Sequence, residues 1–245
     1  MSLQGKVVLL TGASMGIGEA VATSLIEQGA NLDKLVKMVE KLLKINKVKI
    51  TYRAVDVGGY DQVEAAVSSS IKEVGEIDIL INNAGFSPRR FSNLPSTKHP
   101  RHPNNEQHQH QRLHVHVPRR AQQIHDPPQS GTILNITSIT GLEVPPFPGE
   151  AVYHANKACQ EAFTNALRNE LSGTDIRVLV LRPGCVATHF HEQRVGPLIA
   201  PDVAQAANYM LQQPLNVSIK ALDVVPPAQR SLTVIDRKWN ERQRG

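Results

Sequence analysis

The chain has 245 residues, with 27 Lys+Arg against 22 Asp+Glu, 40% hydrophobic and 4% aromatic residues, which suits one globular α/β domain with a full core. The longest apolar run near the N-terminus, Val7 to Leu10, is cut off by Thr11-Gly12, so neither a secretory core nor a membrane span is expected and the chain reads as cytoplasmic. Cys159 and Cys185 have neither paired nor metal-ligand spacing, which excludes a disulfide scaffold.

Lys6 to Leu10 is a short strand-like run that ends at Thr11-Gly12, and Gly16-Ile17-Gly18 leads into a helix over Glu19 to Gln28 carrying Val21, Ala22, Leu25 and Ile26. Lys34 to Asn46 has the spacing of an amphipathic helix. Val48 to Val55 alternates like a strand that stops at Asp56-Val57, and a further helix fits Tyr60 to Val74. Ile77 to Ile81 and Thr132 to Ile136 read as buried strands ending at Asn82-Asn83-Ala84-Gly85 and Thr137-Ser138. Val152 to Leu171 predicts a long helix, Ile176 to Leu181 a strand ending at Arg182-Pro183-Gly184, and Pro201 to Leu211 another helix. Such alternation predicts a doubly wound, mainly parallel Rossmann-like sheet with ligands outside the carboxyl ends of its strands.

Two places break the pattern. Only Ala30, Asn31, Leu32 and Asp33 separate the first two helices, too few for a strand with its turns, so the second strand is expected to be missing. Asp33 reads as a helix N-cap. Residues 86–130 hold seven Lys+Arg against two acidic residues, the whole surplus of the chain, with seven of the ten histidines and seven of the sixteen prolines. Irregular structure is expected there.

Thr11-Gly12-Ala13-Ser14-Met15-Gly16-Ile17-Gly18 places three glycines where a strand turns into a helix, so backbone N–H groups and the helix N-terminus can approach a pyrophosphate. A ligand-free loop has the same look. Tyr153 and Lys157 stand four residues apart on one helix face, and Ser138 ends a strand. A free phenol titrates near pH ~10, and a neighbouring ammonium together with a cationic nicotinamide would bring it toward the working range. As a bare pair at helical spacing, Tyr and Lys also occur as surface decoration.

Taken together, these motifs resemble the short-chain dehydrogenase/reductase (SDR) family. The resemblance rests on Thr11-Gly12 with Gly16-Ile17-Gly18, Asp56-Val57, Asn82-Asn83-Ala84-Gly85, Ser138, Tyr153 with Lys157, and Pro183-Gly184 with Thr188. It covers residues 4–85 and 131–237. It implies one NAD(P)-binding domain over residues 1–245. Gly12, Ser14, Gly16, Ile17 and Gly18 would hold the pyrophosphate and its ribose, Asp56 and Val57 would border the adenine, and Asn83, Ala84 and Gly85 the middle of the cofactor. Tyr153 would be the general acid/base, Lys157 would bind the nicotinamide ribose and tune that tyrosine, and Ser138 would position the carbonyl. Pro183, Gly184, Val186 and Thr188 would lie at the nicotinamide. Read alone, Asp56 is a helix N-cap or turn residue and Thr188 a loop hydroxyl. The stretch Asn216 to Arg230 with Ile235-Asp236-Arg237 resembles the branch acting on serine and other 3-hydroxy acids, which implies NADP(H) over NAD(H). A small-molecule substrate and a homo-oligomer follow from the same resemblance, with no nucleic acid or membrane partner.

Three readings compete for residues 86–130. His108, His110, His114 and His116 could bind a metal, but no cysteine or carboxylate framework surrounds them. A nucleic-acid patch would lack interleaved aromatics. The third reading is a segment translated in the wrong frame. One base later, His108 to Gln129 permits a helix with an apolar face, and the family's helix asparagine falls where Gln111 now stands. The rival to an active oxidoreductase is accordingly a catalytically inactive member of the same fold, from a defective or misread gene.

Overall fold

The computed structural model describes residues 2–29, 31–33, 49–85, 130–146, 150–187 and 198–242, with 31–33 and 240 described by backbone alone. Its β-branched and leucine-rich runs form β1 (Val7–Leu10), β4 (Ile79–Asn82), β5 (Ser130–Ile136) and β6 (Asp175–Pro183). These four are buried almost throughout, as strands covered on both faces must be. Beside them lie β2 (Asn31–Asp33) and the two edge strands, β3 (Ile50–Thr51) and β9 (Ala221–Val224), which are more exposed than the central four. All seven pair in parallel in the order β3-β2-β1-β4-β5-β6-β9, the doubly wound arrangement expected from the sequence. A separate two-stranded ladder joins β7 (Val186–Ala187) to β8 (Leu198–Ile199).

Helices cover both faces of the sheet. On one side α1 (Gly16–Glu27) and α4 (Ala200–Leu211) bury Val21, Leu25, Ile26, Met210 and Leu211 against Val8, Leu134 and Leu179. Asn208 Nδ2 donates to Ser24 Oγ at 2.6 Å across the two helices. On the other side α3 (Ala151–Glu170) packs Phe163 and Leu167 on Leu80, Ile133 and Val178. The α2 helix (Tyr60–Val74) has the bounds its periodicity predicts. A short α5 (Trp239–Arg242) lies near the C-terminus.

The second strand, expected to be missing, is present. β2 spans three residues, with Val7 opposite Asn31 and Leu9 opposite Asp33. Its connection is short because the chain reverses at Gly29, whose φ of +80° suits glycine and whose carbonyl accepts from Gly5 N at 3.1 Å. Asp33 closes that strand, and the helix it was expected to cap lies outside the described residues. The helix expected over Lys34 to Asn46 and the segment 86–129 lie outside the described residues. Among the described residues, no helix is long and apolar enough to cross a membrane.

Arg177 of β6 is 9% exposed and, among the described residues, forms no ion pair with a carboxylate. Its guanidinium donates to Thr132 Oγ1 (3.0 Å from Nη2) and to the carbonyls of Gln213, Pro214 and Val217 at 3.0–3.3 Å. It thereby ties the sheet to the loop after α4. Arg177→Met leaves the buried Thr132 Oγ1 and the partly buried carbonyls without this donor and is expected to cost about 1–3 kcal/mol, read as a lowered urea midpoint at unchanged m-value.

Candidate active site

The carboxyl ends of β1, β4, β5 and β6 converge on one edge of the sheet, because all are parallel and in register. The loop after β1 carries Gly12 at φ +66° and Gly16 at φ +59°, and Met15 at the helix N-cap position makes no side-chain cap bond. The amides opening α1 are thus left to an outside acceptor, the geometry that suits a phosphate. Thr11 Oγ1 accepts from Asn83 N (3.1 Å) and Ala84 N (3.0 Å), while Asn83 Nδ2 donates to Thr11 O (3.1 Å) and Gly12 O (3.0 Å). This clamp brings the loops after β1 and β4 together. It leaves no room at Gly18, where a Cβ would lie 2.1 Å from Gly12 O and 2.4 Å from Asn83 Nδ2. Gly18→Ala is expected to cost about 3 kcal/mol or more and to weaken dinucleotide binding, checked by urea unfolding and by NADPH fluorescence titration. Ser14 is exposed beside this cradle and Ile17 packs at its base.

Asp56 turns the chain before α2. Its Oδ1 accepts from Gly58 N at 2.9 Å and its carbonyl from Gly59 N at 2.9 Å, and Gly59 occupies the cap position of α2. It is therefore a turn residue, with Val57 beside it.

Ser138 follows β5 and caps the 3-10 turn Ile139–Gly141, accepting from Thr140 N at 3.1 Å. It is buried, and its Oγ lies 3.5 Å from the carbonyl of Pro183 at the end of β6. A hydrogen bond from Ser138 reaches Tyr153 on α3. The Lys157 ammonium lies 5.8 Å from the centre of the Tyr153 ring. The three residues thus meet, as the sequence spacing predicts. Gly85 adjoins them, since a Cβ there would lie 4.0 Å from Lys157 Nζ.

The electrostatics run against the simplest expectation for the phenol. Burial pushes Tyr153 above its ordinary value, Ser138 pulls it down and Glu150 pushes it further up. Burial dominates, so lowering this phenol requires the positive charge a bound nicotinamide would bring. Lys157 is 7% exposed, donates to Gln160 Oε1 at 3.1 Å, and is pushed down to about 8 by burial, with Glu161 opposing.

After β6, Gly184 N donates to Val224 O at 2.7 Å and Cys185 N to Gln229 Oε1 at 2.9 Å. Val186 then pairs with Leu198. Thr188 lies outside the described residues. Gln229, Gln160, Glu161 and Arg182 were not singled out by the sequence reading. Glu161 had a usable signal, since it extends the Tyr153 and Lys157 face by one more turn. Gln229 had none, because its partner is 44 residues away. Among the described residues no group of three or more His, Cys, Asp and Glu could hold a metal ion.

A doubly wound parallel sheet with a glycine loop after β1 and a Ser-Tyr-Lys cluster at the ends of its strands defines a Rossmann-like protein of the dinucleotide-binding class. A family model described as short chain dehydrogenase matches residues 6–196. An uncharacterized oxidoreductase of Staphylococcus saprophyticus is 31% identical over 258 residues, covering 93% of this chain and 98% of that protein. Serine dehydrogenase from Escherichia coli is 26% identical with a TM-score of 0.69, covering 92% of this chain and 100% of that one. An alcohol dehydrogenase from the archaeon Thermococcus sibiricus, solved with 5-hydroxy-NADP, is 25% identical with a TM-score of 0.73, covering 92% and 98%. The chain belongs to the short-chain dehydrogenase family, whose members are oxidoreductases.

Proposed function

We propose that the protein is an NAD(P)(H)-dependent oxidoreductase interconverting a secondary alcohol, in the class of serine and other 3-hydroxy acids, and its carbonyl. The observation that carries this reading is the meeting of Ser138, Tyr153 and Lys157 beside the Gly12–Gly18 cradle, on one edge of the sheet. The cradle fits a dinucleotide: its floor tolerates no Cβ, and the α1 amides lack a side-chain cap. Gly12, Ser14, Gly16, Ile17 and Gly18 would hold the pyrophosphate and its ribose. Asp56 and Val57 would border the adenine, and Asn83, Ala84 and Gly85 the centre. Pro183, Gly184, Val186 and Thr188 would flank the nicotinamide.

A nicotinamide cofactor held there would supply the hydride-transfer chemistry at the carbonyl carbon. Tyr153 exchanges a proton with the substrate oxygen through its phenolic Oη, and Ser138 Oγ donates a hydrogen bond to that oxygen. The Lys157 ammonium holds the ribose and favours the phenolate. Residues 1–245 act as one domain in this reading, in a cytoplasmic homo-oligomer that engages neither nucleic acid nor membrane.

NADP(H) is the proposed cofactor, on the strength of the NADP-related ligand in the Thermococcus sibiricus relative. One feature of this chain supports the second reading, NAD(H). Asp33 ends β2, the place from which an acidic residue takes the ribose hydroxyls and repels a 2′-phosphate. Fluorescence titration with NADPH and NADH, followed by turnover on a panel of 3-oxo acids and simple ketones, tests both points. Saturable binding with turnover of a 3-oxo acid is the expected result. Binding of neither nucleotide overturns the proposal, and tighter binding of NADH reverses the cofactor choice.

A further inference from the structure

Beneath the Ser-Tyr-Lys cluster lies a buried carboxylate. Glu161 is 5% exposed and stands one helical turn beyond Lys157 on α3, on the same face. Both residues pack on Gly141 of the 3-10 turn, where a Cβ would lie 2.9 Å from Lys157 O and 3.1 Å from Glu161 Cγ. Thr137, next to Ser138, donates to Glu161 Oε1 at 2.6 Å. Arg182, next to Pro183, forks onto the two carboxylate oxygens, Nε to Oε1 at 3.0 Å and Nη2 to Oε2 at 2.9 Å. One side chain therefore joins the ends of β5 and β6 to the helix that carries Tyr153 and Lys157.

Two opposite needs meet at Lys157. An ammonium buried this deeply loses hydration, and its direct partner among the described residues, Gln160 Oε1, is neutral. We propose that Glu161 is the positioning residue that keeps Lys157 charged in its buried place, so that the site holds a cation where the ribose and the tyrosine require one. The role given to Lys157 is the one stated under the proposed function. Other charged and titratable groups face this pair from each packed element. Arg182 of β6 binds Glu161 and is shared with Asp223 of β9, with Nη1 to Oδ1 at 3.0 Å. Arg168, Tyr153 and His154 lie on α3 itself with Glu150 at its N-cap, and the loop after β5 contributes the hydroxyls of Thr137 and Ser138. Arg182 is thus neutralised from two sides, which leaves the field of Glu161 only partly cancelled at Lys157. Consistent with this, Glu161 opposes the effect of burial on the lysine.

The test is an NMR titration of the Lys157 ¹³Cε resonance in the full chain labelled at lysine Cε, assigned by its disappearance in Lys157→Met. The parent is expected to titrate near 8. Glu161→Gln, which keeps the shape and removes the charge, is expected to lower the midpoint by about one pH unit or more. Glu161→Asp keeps the charge and is expected to stay near the parent value. An unchanged midpoint in Glu161→Gln overturns the proposal, because a merely structural contact would not move it. Should Glu161→Gln fail to give the parent circular-dichroism spectrum, the double variant Glu161→Gln/Arg182→Gln, which leaves no uncompensated buried guanidinium, is compared with Arg182→Gln, in which Glu161 keeps its charge. The double variant must then titrate lower than Arg182→Gln by about one pH unit or more, and equal midpoints overturn the proposal. The readout needs neither cofactor nor turnover. Failure of the parent chain to bind NADPH would sink the proposed function and leave this titration to judge Glu161 separately.

Discussion

Tyr153→Phe is expected to lower kcat roughly 10²- to 10⁴-fold, the span attributed to a positioned general acid/base. Phenylalanine keeps the ring and its packing on α3, and it removes only the oxygen that accepts from Ser138. NADPH affinity is therefore expected to stay within about threefold, since the ring itself makes no charge contact with the phosphates. Steady-state kinetics and fluorescence titration separate the two effects. The pH dependence adds a second check. Burial and Glu150 hold the phenol above its ordinary value, so alcohol oxidation, which needs the proton acceptor, is expected to gain with rising pH until the cofactor-bound phenol has ionised. Equal kcat in the variant and the parent would remove Tyr153 from the chemistry.

Lys157→Met is expected to abolish activity and, unlike most substitutions at a buried position, to stabilise the protein without cofactor. The folded chain holds this ammonium at about 8 against roughly 10.4 for a free lysine. Between those values the unfolded chain binds a proton that the folded chain does not, so stability rises with pH across the window. Below about 8 both states are protonated and the fold carries the full cost of the buried charge, on the order of 3 kcal/mol with the opposing effect of Glu161 already included. Methionine fills similar space, removes that cost and leaves Gln160 Oε1 without its donor, which returns about 1 kcal/mol. A net gain of about 1–2 kcal/mol raises Tm by roughly 2–8 °C for a chain of this size. Differential scanning calorimetry at two pH values checks the sign: the advantage of Lys157→Met must shrink from neutral pH to pH ~10.

Local spacing made much of this site legible before any coordinates. The glycine turn after β1 and the Tyr153 and Lys157 pair are each encoded within a few residues, and α2 begins and ends where its apolar period does. What escaped depends on tertiary placement. β2 was missed because counting turn residues assumed a longer reversal than the one Gly29 makes. β9 is an edge strand of four partly exposed residues, Ala221 to Val224, with too little alternation to stand out. β3 is likewise only two residues long where alternation suggested eight, since its outer edge has no neighbour among the described strands. Arg182 and Gln229 earn their place through bonds spanning 21 and 44 residues, which no local pattern reports, whereas the helical spacing of Glu161 from Lys157 was readable and only its partners were not. The phenol is the instructive case. Residue type and spacing suggested that Lys157 lowers it, whereas burial of both groups raises the phenol and lowers the lysine. Buried neighbours shift each other only after desolvation has acted on each.

The histidine- and proline-rich segment 86–130 stands apart from these successes. It contains the position, Gln111, at which the frame reading places the family's helix asparagine, and of its residues only Ser130, the first of β5, falls within the described part. An active chain would show that Ser138, Tyr153 and Lys157 suffice without that asparagine.

The central claim, that this Ser-Tyr-Lys cluster directs hydride transfer between a nicotinamide and a carbonyl carbon, is tested most directly by isotope transfer. The full chain is incubated with NADPH deuterated at both C4 positions and a 3-oxo acid, and the product is read by mass spectrometry. The account predicts a 3-hydroxy acid carrying one deuterium on the carbinol carbon, formed by the parent and lost with Tyr153→Phe. An alcohol formed without deuterium, or formed equally by Tyr153→Phe, would contradict it.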